Sequence, residues 1–382
     1  MWRKIWMAWI AGAPVFGAMA AGVVVDGQVV VYRDDRFHSA FPSLVRRADG
    51  ELLAAFRRAP ERRKLGEPRT SHTDPTSQLV LVRSRDDGRT WSAEPELIFA
   101  HPFGGSQDPC LLQLRDQSLL CSSYGWALLR PEGLKHLPQP ASVLGDFSFL
   151  GGFLLRSENG GRSWGGSWQP PACQGEIHLD MFGKPLPAYN RGAMTEGRDG
   201  RIYWVVAMST SSGRPEAHLL ISADKGRTWA YSCPVARDDK AGFNETSIYE
   251  TPKGDLVAFL RTADFNDHGC LARSTDHGKT FQKWEDMGFQ GHPFHAMELP
   301  DHRVLLVYGY RHPPFGVRAR VMNAECSDAG SAAEIVLRQD GGNGDLGYPW
   351  STMVATNRVL AVYYFNRADG TREINGTFLR VE

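Results

Sequence analysis

SRDDGRTW (Ser84–Trp91), SENGGRSW (Ser157–Trp164), SADKGRTW (Ser222–Trp229) and STDHGKTF (Ser274–Phe281) are four versions of one phrase, Ser-x-Asp-x-Gly-x-Thr-Trp, with Asn159 in the Asp slot of the second. The phrase has the chemistry of a hairpin turn. Asp or Asn bonds back to its own backbone, Gly takes a positive φ, and the aromatic packs beneath the loop. One copy would say little; four in order make a repeat, and repeats at such spacing belong to arrays of supersecondary units. A worn fifth copy is expected near Ser327-Asp328-Ala329-Gly330.

A second pattern counts the units. Apolar, strand-like runs hinge on polar turns at Asp49-Gly50, Arg115-Asp116, Asp199-Gly200, Lys253-Gly254, Asp301-His302 and Thr356-Asn357. Six hairpins, most of them followed by the repeated phrase, predict an all-β, six-bladed β-propeller with four strands to a blade. No linker or shift in composition marks a second domain, so the propeller is expected to span residues 21–382. The longest gap between hairpins holds Pro- and Gly-rich stretches at 131–152 and 165–188, which read as long loops of blade two and the crossover after it.

Residues 1–20 read as a leader rather than as part of the fold. Arg3 and Lys4 precede an apolar stretch that ends in Ala18-Met19-Ala20, a small-x-small signature, so cleavage is expected after Ala20. The stretch is too short and interrupted for a membrane span, and the mature protein is expected to be secreted or periplasmic. The 43 basic residues balance the 43 acidic ones, which argues against a nucleic-acid partner. The six cysteines form no CxxC pair and no Gly-rich phosphate loop opens a helix, so neither a metal nor another cofactor is expected. Cys110 and Cys121 flank one hairpin and are a candidate disulfide, with buried thiols the alternative.

If the hairpins are equivalent, equal offsets from each turn fall at equivalent places. Eight residues before the turns stand Phe41, Asp108, Arg191, Glu245, Pro293 and Tyr348; eight after them stand Arg57, Tyr124, Ala207, Arg261, Gly309 and Tyr364. Polar and ionisable groups thus recur at one register, at the end where inner strands converge on the axis. A pocket lined by arginines, acids and tyrosines suits a planar anion, because guanidinium forks pair with carboxylates. Tyr beside Glu suggests a phenol whose proton a carboxylate can remove. His292 and His295 lie near the fifth inner strand, and Arg311 and His312 in a loop over the pocket.

The repeated turns resemble the Asp boxes of the sialidase superfamily, and the resemblance covers essentially the whole mature chain. It implies an exo-glycosidase acting on a terminal acidic sugar of a glycan, sialic acid foremost. NETSIYETPKGDLVAFLR matches the phrase that carries the general base and a carboxylate-binding arginine, here Glu245 and Arg261; GYPWSTMVATNRVLAVYY matches the one that carries the nucleophile, here Tyr348. RHPPFGVRARV matches a later arginine at Arg318, with Arg320 close by.

Two departures stand out. The slot of the family's first arginine reads Ala40-Phe41-Pro42, so Arg57 and Arg58 are candidates to replace it. The position of its acid/base Asp falls near Thr76 and Gln78, so Asp74 or His72 is expected to supply the proton, with Asp108 a further candidate. Arg191 and His292 complete the expected lining. A hydrolase or lyase acting on uronic acids, or a propeller that binds glycans without turnover, are the alternative readings of the same pocket.

Overall fold

Every turn picked out above joins two neighbouring antiparallel strands in the computed structural model, which describes residues 22–67, 72–210 and 213–382; the expected leader lies outside them. The strands form six sheets arranged as the blades of a propeller. The first contains Phe37–Arg46, Leu52–Pro60, Gln78–Ser84 and Glu96–Ala100, in chain order from the axis outwards. The fifth repeats the plan with Phe294–Glu298, Val304–Tyr310, Gly316–Met322 and Glu334–Arg338.

The sixth blade differs in one respect. Gly347–Ala355, Arg358–Asn366 and Arg372–Val381 are completed by Val23–Tyr32, which pairs antiparallel with Arg372–Val381 from the other end of the chain. Ion pairs Arg33–Glu373 and Asp26–Arg358 reinforce the seam.

The core lies between blades rather than within them. Six clusters of buried apolar side chains lie at the seams; five draw on two adjacent blades, for example Leu53, Leu81 and Ile98 of the first with Leu119, Cys121 and Leu155 of the second, and the one between the sixth and first blades also takes in Cys110 and Ala193. The repeated turns join third to fourth strands and wedge into these seams. In the first, Ser84 Oγ accepts from Gly88 N at 3.0 Å, Asp86 accepts from Thr90 N at 2.9 Å, and Trp91 Nε1 donates to Gly88 O at 3.0 Å. Not only Gly88 but also the residue before it, Asp87, has positive φ, so the turn spends two residues in the left-handed region. A Cβ on Gly226 would sit 2.4 Å from Leu120 Cδ1 of the preceding blade, which shows how tightly such a turn is inserted.

The worn copy of the fifth blade starts earlier than its sequence suggested. Asn323 Oδ1 accepts from Ser327 N at 3.1 Å and Asn323 Nδ2 donates to Ser327 Oγ at 2.8 Å, as Asn159 does with Ser163. Two further expectations are corrected. Residues 147–152 begin the long third strand Phe147–Ser157 of blade two and Gly165–Trp168 is its outer strand; the rest of 131–152 and 165–188 is loop apart from the short helix Pro131–Leu134 and the two-residue strand Val143–Leu144. All six cysteines are buried thiols: Cys110 pairs with Ser122, and alternation along the strand turns Cys121 to the opposite face.

Candidate functional site

The inner strands are irregular at the ring position, and proline explains much of it. Ala40 pairs with Arg57 and Ser43 with Ala55, which leaves Phe41-Pro42 outside the ladder; Gly347 pairs with Tyr364 and Trp350 with Val362, which leaves out Tyr348-Pro349. Asp108-Pro109 falls in the gap between Gly105–Ser106 and Cys110–Gln113, and Glu245 in the gap between Gly242–Phe243 and Ser247–Glu250. Proline has no N–H to give a ladder, so the strand breaks and the residue before it turns inward. Phe41 and Tyr348 pay for this with φ of 59° and 51°, a region bulky residues rarely adopt and which concentrates at functional sites.

These breaks bring together groups far apart in the chain. The Tyr348 hydroxyl donates to Glu245 Oε1 at 2.7 Å, and Arg261 Nη1 donates to the Tyr348 oxygen at 2.8 Å and also to Glu245 Oε2. Burial works against ionisation of Glu245, but Arg261 and the Tyr348 hydroxyl hold its carboxyl below the ordinary value. Burial likewise pushes the Tyr348 phenol up, opposed by Arg261 and Arg311, so the resting pair is phenol and carboxylate. Phe41 meets the Tyr348 ring edge-on with centroids 4.8 Å apart.

The lower part of the site is closed. Arg191 lies under Tyr348, its guanidinium 5.3 Å from that ring's centroid and 5.0 Å from that of Trp350, and its Nη2 donates to Pro42 O at 2.7 Å. Only 3% exposed, it supports the tyrosine from below. Asp108 accepts from the Tyr124 hydroxyl at 3.2 Å and lies 4.0 Å from Arg191 Nε; burial, then the nearby Glu245 charge, push its carboxyl up to about 6. Arg57 is fully buried, with Nη1 3.5 Å from His38 Nδ1.

The upper wall comes from the last two blades. Arg311 lies 5.0 Å from the centroid of the Tyr348 ring; its Nη2 donates to the Tyr364 hydroxyl at 3.0 Å, and Tyr364 donates to Asp345 Oδ1 at 2.8 Å. His72 Nε2 meets the same Asp345 oxygen at 2.8 Å. Asp345 also accepts from Arg372 Nε at 2.9 Å. On the far side of Arg261, Asp267 lies 3.2 Å from His292 Nε2 and 3.1 Å from His312 Nε2.

Several expected residues stand elsewhere. Arg318 does not reach Tyr348: it sits on the third strand of blade five and folds back to Arg338 O at 2.8 Å and Pro314 O at 3.1 Å. Arg320 lies over the Phe289 ring. The arginine that blade five contributes is Arg311, beyond the end of the second strand, where a change of direction before Pro313-Pro314 aims it inward. Arg58 pairs with Ser39, one residue out of phase with Arg57, so it faces away and packs on Phe37. Asp74 is 3% exposed and accepts from Arg62 Nε at 2.6 Å and from Thr76 N and Oγ1, both at 2.8 Å. His292 is buried behind the arginines. Asp345 escaped the sequence reading altogether, although it stands three residues before Tyr348.

Known proteins bear on this arrangement. The family described as BNR repeat-like domain matches residues 148–360. A sialidase of Micromonospora viridifaciens is 23% identical over 294 residues, 72% of this chain but 42% of that protein, so the chain spans less than half the length of this relative. A crystal structure of a Dyadobacter fermentans protein of unknown function is 58% identical with a TM-score of 0.93, over 94% of this chain and 100% of that one. The Hadza microbial sialidase Hz136 superposes with a TM-score of 0.66 at 16% identity, over 92% of this chain and 68% of its own. For the Trypanosoma rangeli sialidase the values are 0.66 and 16%, over 95% and 60%. The last two share the six-bladed fold.

Proposed function

This chain belongs to the BNR repeat-like domain family and has the sialidase superfamily's propeller, and from that premise we propose that it is an exported glycoside hydrolase that removes a terminal acidic sugar, sialic acid foremost, from glycans. One observation carries the reading: the hydrogen bond from the Tyr348 hydroxyl to Glu245, with Arg261 bridging both.

Glu245 takes the phenolic proton as the Tyr348 oxygen attacks the anomeric carbon, and the arginine beside them stabilises the phenolate that develops. A phenol suits this task because a carboxylate nucleophile would be repelled by the sugar's own carboxylate next to the reacting carbon. Arg261 and Arg311, on either side of Tyr348, are placed to clamp that carboxylate. Water then displaces the tyrosine and Glu245 returns its proton.

The clamp has two accessible arginines, with Phe41 in the wall and Arg57 buried. That composition keeps a uronic acid as the second substrate class, released by hydrolysis or by elimination. The experiment is to assay fluorogenic sialosides and uronides with the intact protein and with Tyr348→Phe. The reading requires turnover of one substrate class by the intact protein and a loss of at least about 1000-fold in the variant, which removes only the attacking oxygen. Ultraviolet-absorbing unsaturated products would assign the reaction to elimination, and glycan binding without turnover would reduce the propeller to a binding module.

A further inference from the structure

We propose that His72 is the proton donor to the leaving group, aimed by Asp345; this rests on the glycosidase reading above. Four acidic groups lie near the site besides Glu245, and each is spoken for; Asp267 has one oxygen on His292 and the other on His312. Asp74 has both oxygens occupied by Arg62 and Thr76, and the Arg62 and Thr76 bonds hold it ionised against the effect of burial. Asp108 is 1% exposed beneath the Tyr124 hydroxyl, on the closed side of the site. Asp345 is a fixed carboxylate, held by Arg372 and Tyr364.

His72 is different. Its side chain is 48% exposed, and its ring stands 5.3 Å from that of Phe41, which also meets Tyr348 at 4.8 Å and Tyr364 at 5.1 Å. Imidazole and phenol therefore flank one aromatic side chain, so a sugar seated against Phe41 would meet both. The bond that the Nε2–H donates to Asp345 fixes the ring, which leaves Nδ1 of the imidazolium to carry the transferable proton. Asp345 is in turn linked through Tyr364 to Arg311, so the donor and the carboxylate clamp are set by one hydrogen-bonded chain.

The step balances. The Nδ1 proton of the imidazolium passes to the glycosidic oxygen as the bond from that oxygen to the anomeric carbon breaks and its electron pair stays on oxygen. The Tyr348 oxygen forms the new bond, with its own proton going to Glu245. In the second half His72 takes a proton from the incoming water.

The test uses leaving groups of unlike acidity. Whichever sugar the intact protein hydrolyses is supplied as its 4-nitrophenyl glycoside, whose phenolate leaves unaided, and as an alkyl glycoside, which needs protonation. His72→Ala is expected to keep the nitrophenyl rate within about 10-fold while losing about 100- to 1000-fold on the alkyl glycoside. Asp345→Asn, which misaims the imidazole, is expected to lose less but on the alkyl substrate only. His72→Asn, able to keep a bond to Asp345, controls for folding and should show the same selective loss. Equal losses on both substrates, no loss on either, or the selective loss in Asp74→Asn instead would overturn the assignment of His72 while leaving the glycosidase reading intact. An intact protein inactive on both glycosides of every acidic sugar tried would sink that reading itself.

Discussion

Ala40 and Arg57 face each other as Cα partners across the two innermost strands of the first blade, so their side chains share one face of the sheet. The slot in which related sequences are expected to carry an arginine thus holds a methyl group, and the guanidinium comes from the opposite strand. It is fully buried, and Asp74, Asp108 and Asp345 favour its charge against the cost of burial. Replacing it by a neutral side chain of similar length should leave those carboxylates less compensated. Arg57→Met is expected to lose about 1–3 kcal/mol of stability at pH 8 and less at pH 5, where Asp108 is already protonated. Urea unfolding at the two pH values measures the difference, and equal losses would show that Arg57 matters only for packing.

Asp108 offers a cleaner pH signature. Its folded carboxyl titrates near 6, above the ordinary value of 3.8. Between those values the folded chain holds more protons than the unfolded one, so this group's contribution is intact below about pH 4 and is lost as pH rises through 6. Asp108→Asn should therefore raise stability at pH 8, by an amount on the order of 2 kcal/mol, and leave it unchanged at pH 4. Thermal melts across that range would reveal a gain that opens as pH rises through 6, which a purely steric substitution lacks.

Arg311 and Arg318 can be separated by kinetics. Lysine keeps the charge but loses the fork. Arg311→Lys is expected to raise KM for the acidic sugar by about 10- to 100-fold. Arg318→Lys, whose native side chain is held within its own blade by the Arg338 and Pro314 carbonyls, Glu334 and the Tyr310 ring, should leave KM alone and lower the melting temperature. The opposite pattern would restore Arg318 to the clamp.

The wedge role of the repeated turns predicts unequal costs for one and the same substitution. Gly226 and Gly200 have φ of 80° and 78°, yet a Cβ on Gly200 would meet nothing within 4 Å while one on Gly226 would collide with Leu120. Gly200→Ala should cost about 1 kcal/mol from backbone strain, and Gly226→Ala about 3 kcal/mol once the collision is added. Chemical denaturation of the pair decides whether these loops hold blades together or merely end strands.

The blade count and the ring were legible because both depend on local periodicity: a hairpin fixes its own register, and equal offsets from six hairpins land on one circle. Phe41, Asp108, Glu245 and Tyr348 were visible for that reason. Arg311 was not, since its direction depends on how the chain leaves a strand before Pro313-Pro314, and offset counting stops at the strand end. Arg318 was misplaced because its phrase matches while its side chain turns back on its own blade. Asp345 lies in a Gly-rich stretch with no periodicity, and its partners His72, Tyr364 and Arg372 come from both ends of the chain. The pairing of Val23–Tyr32 with Arg372–Val381 had no local signal at all.

That last pairing has a consequence for when the protein can work. The two strands that seal the ring are separated by nearly the entire propeller, so sealing carries a large loop-closure cost and contributes the most distant contacts in the fold. Tyr348 and Tyr364 belong to the sheet being sealed and Asp345 to the segment that leads into it, whereas Glu245, Arg261 and His72 come from blades that assemble from nearer neighbours. On the proposed roles, an open circle would leave the nucleophile without its base and the imidazole without its anchor. On that reading, closing the ring and completing the proposed site coincide, and a chain caught open would be inert.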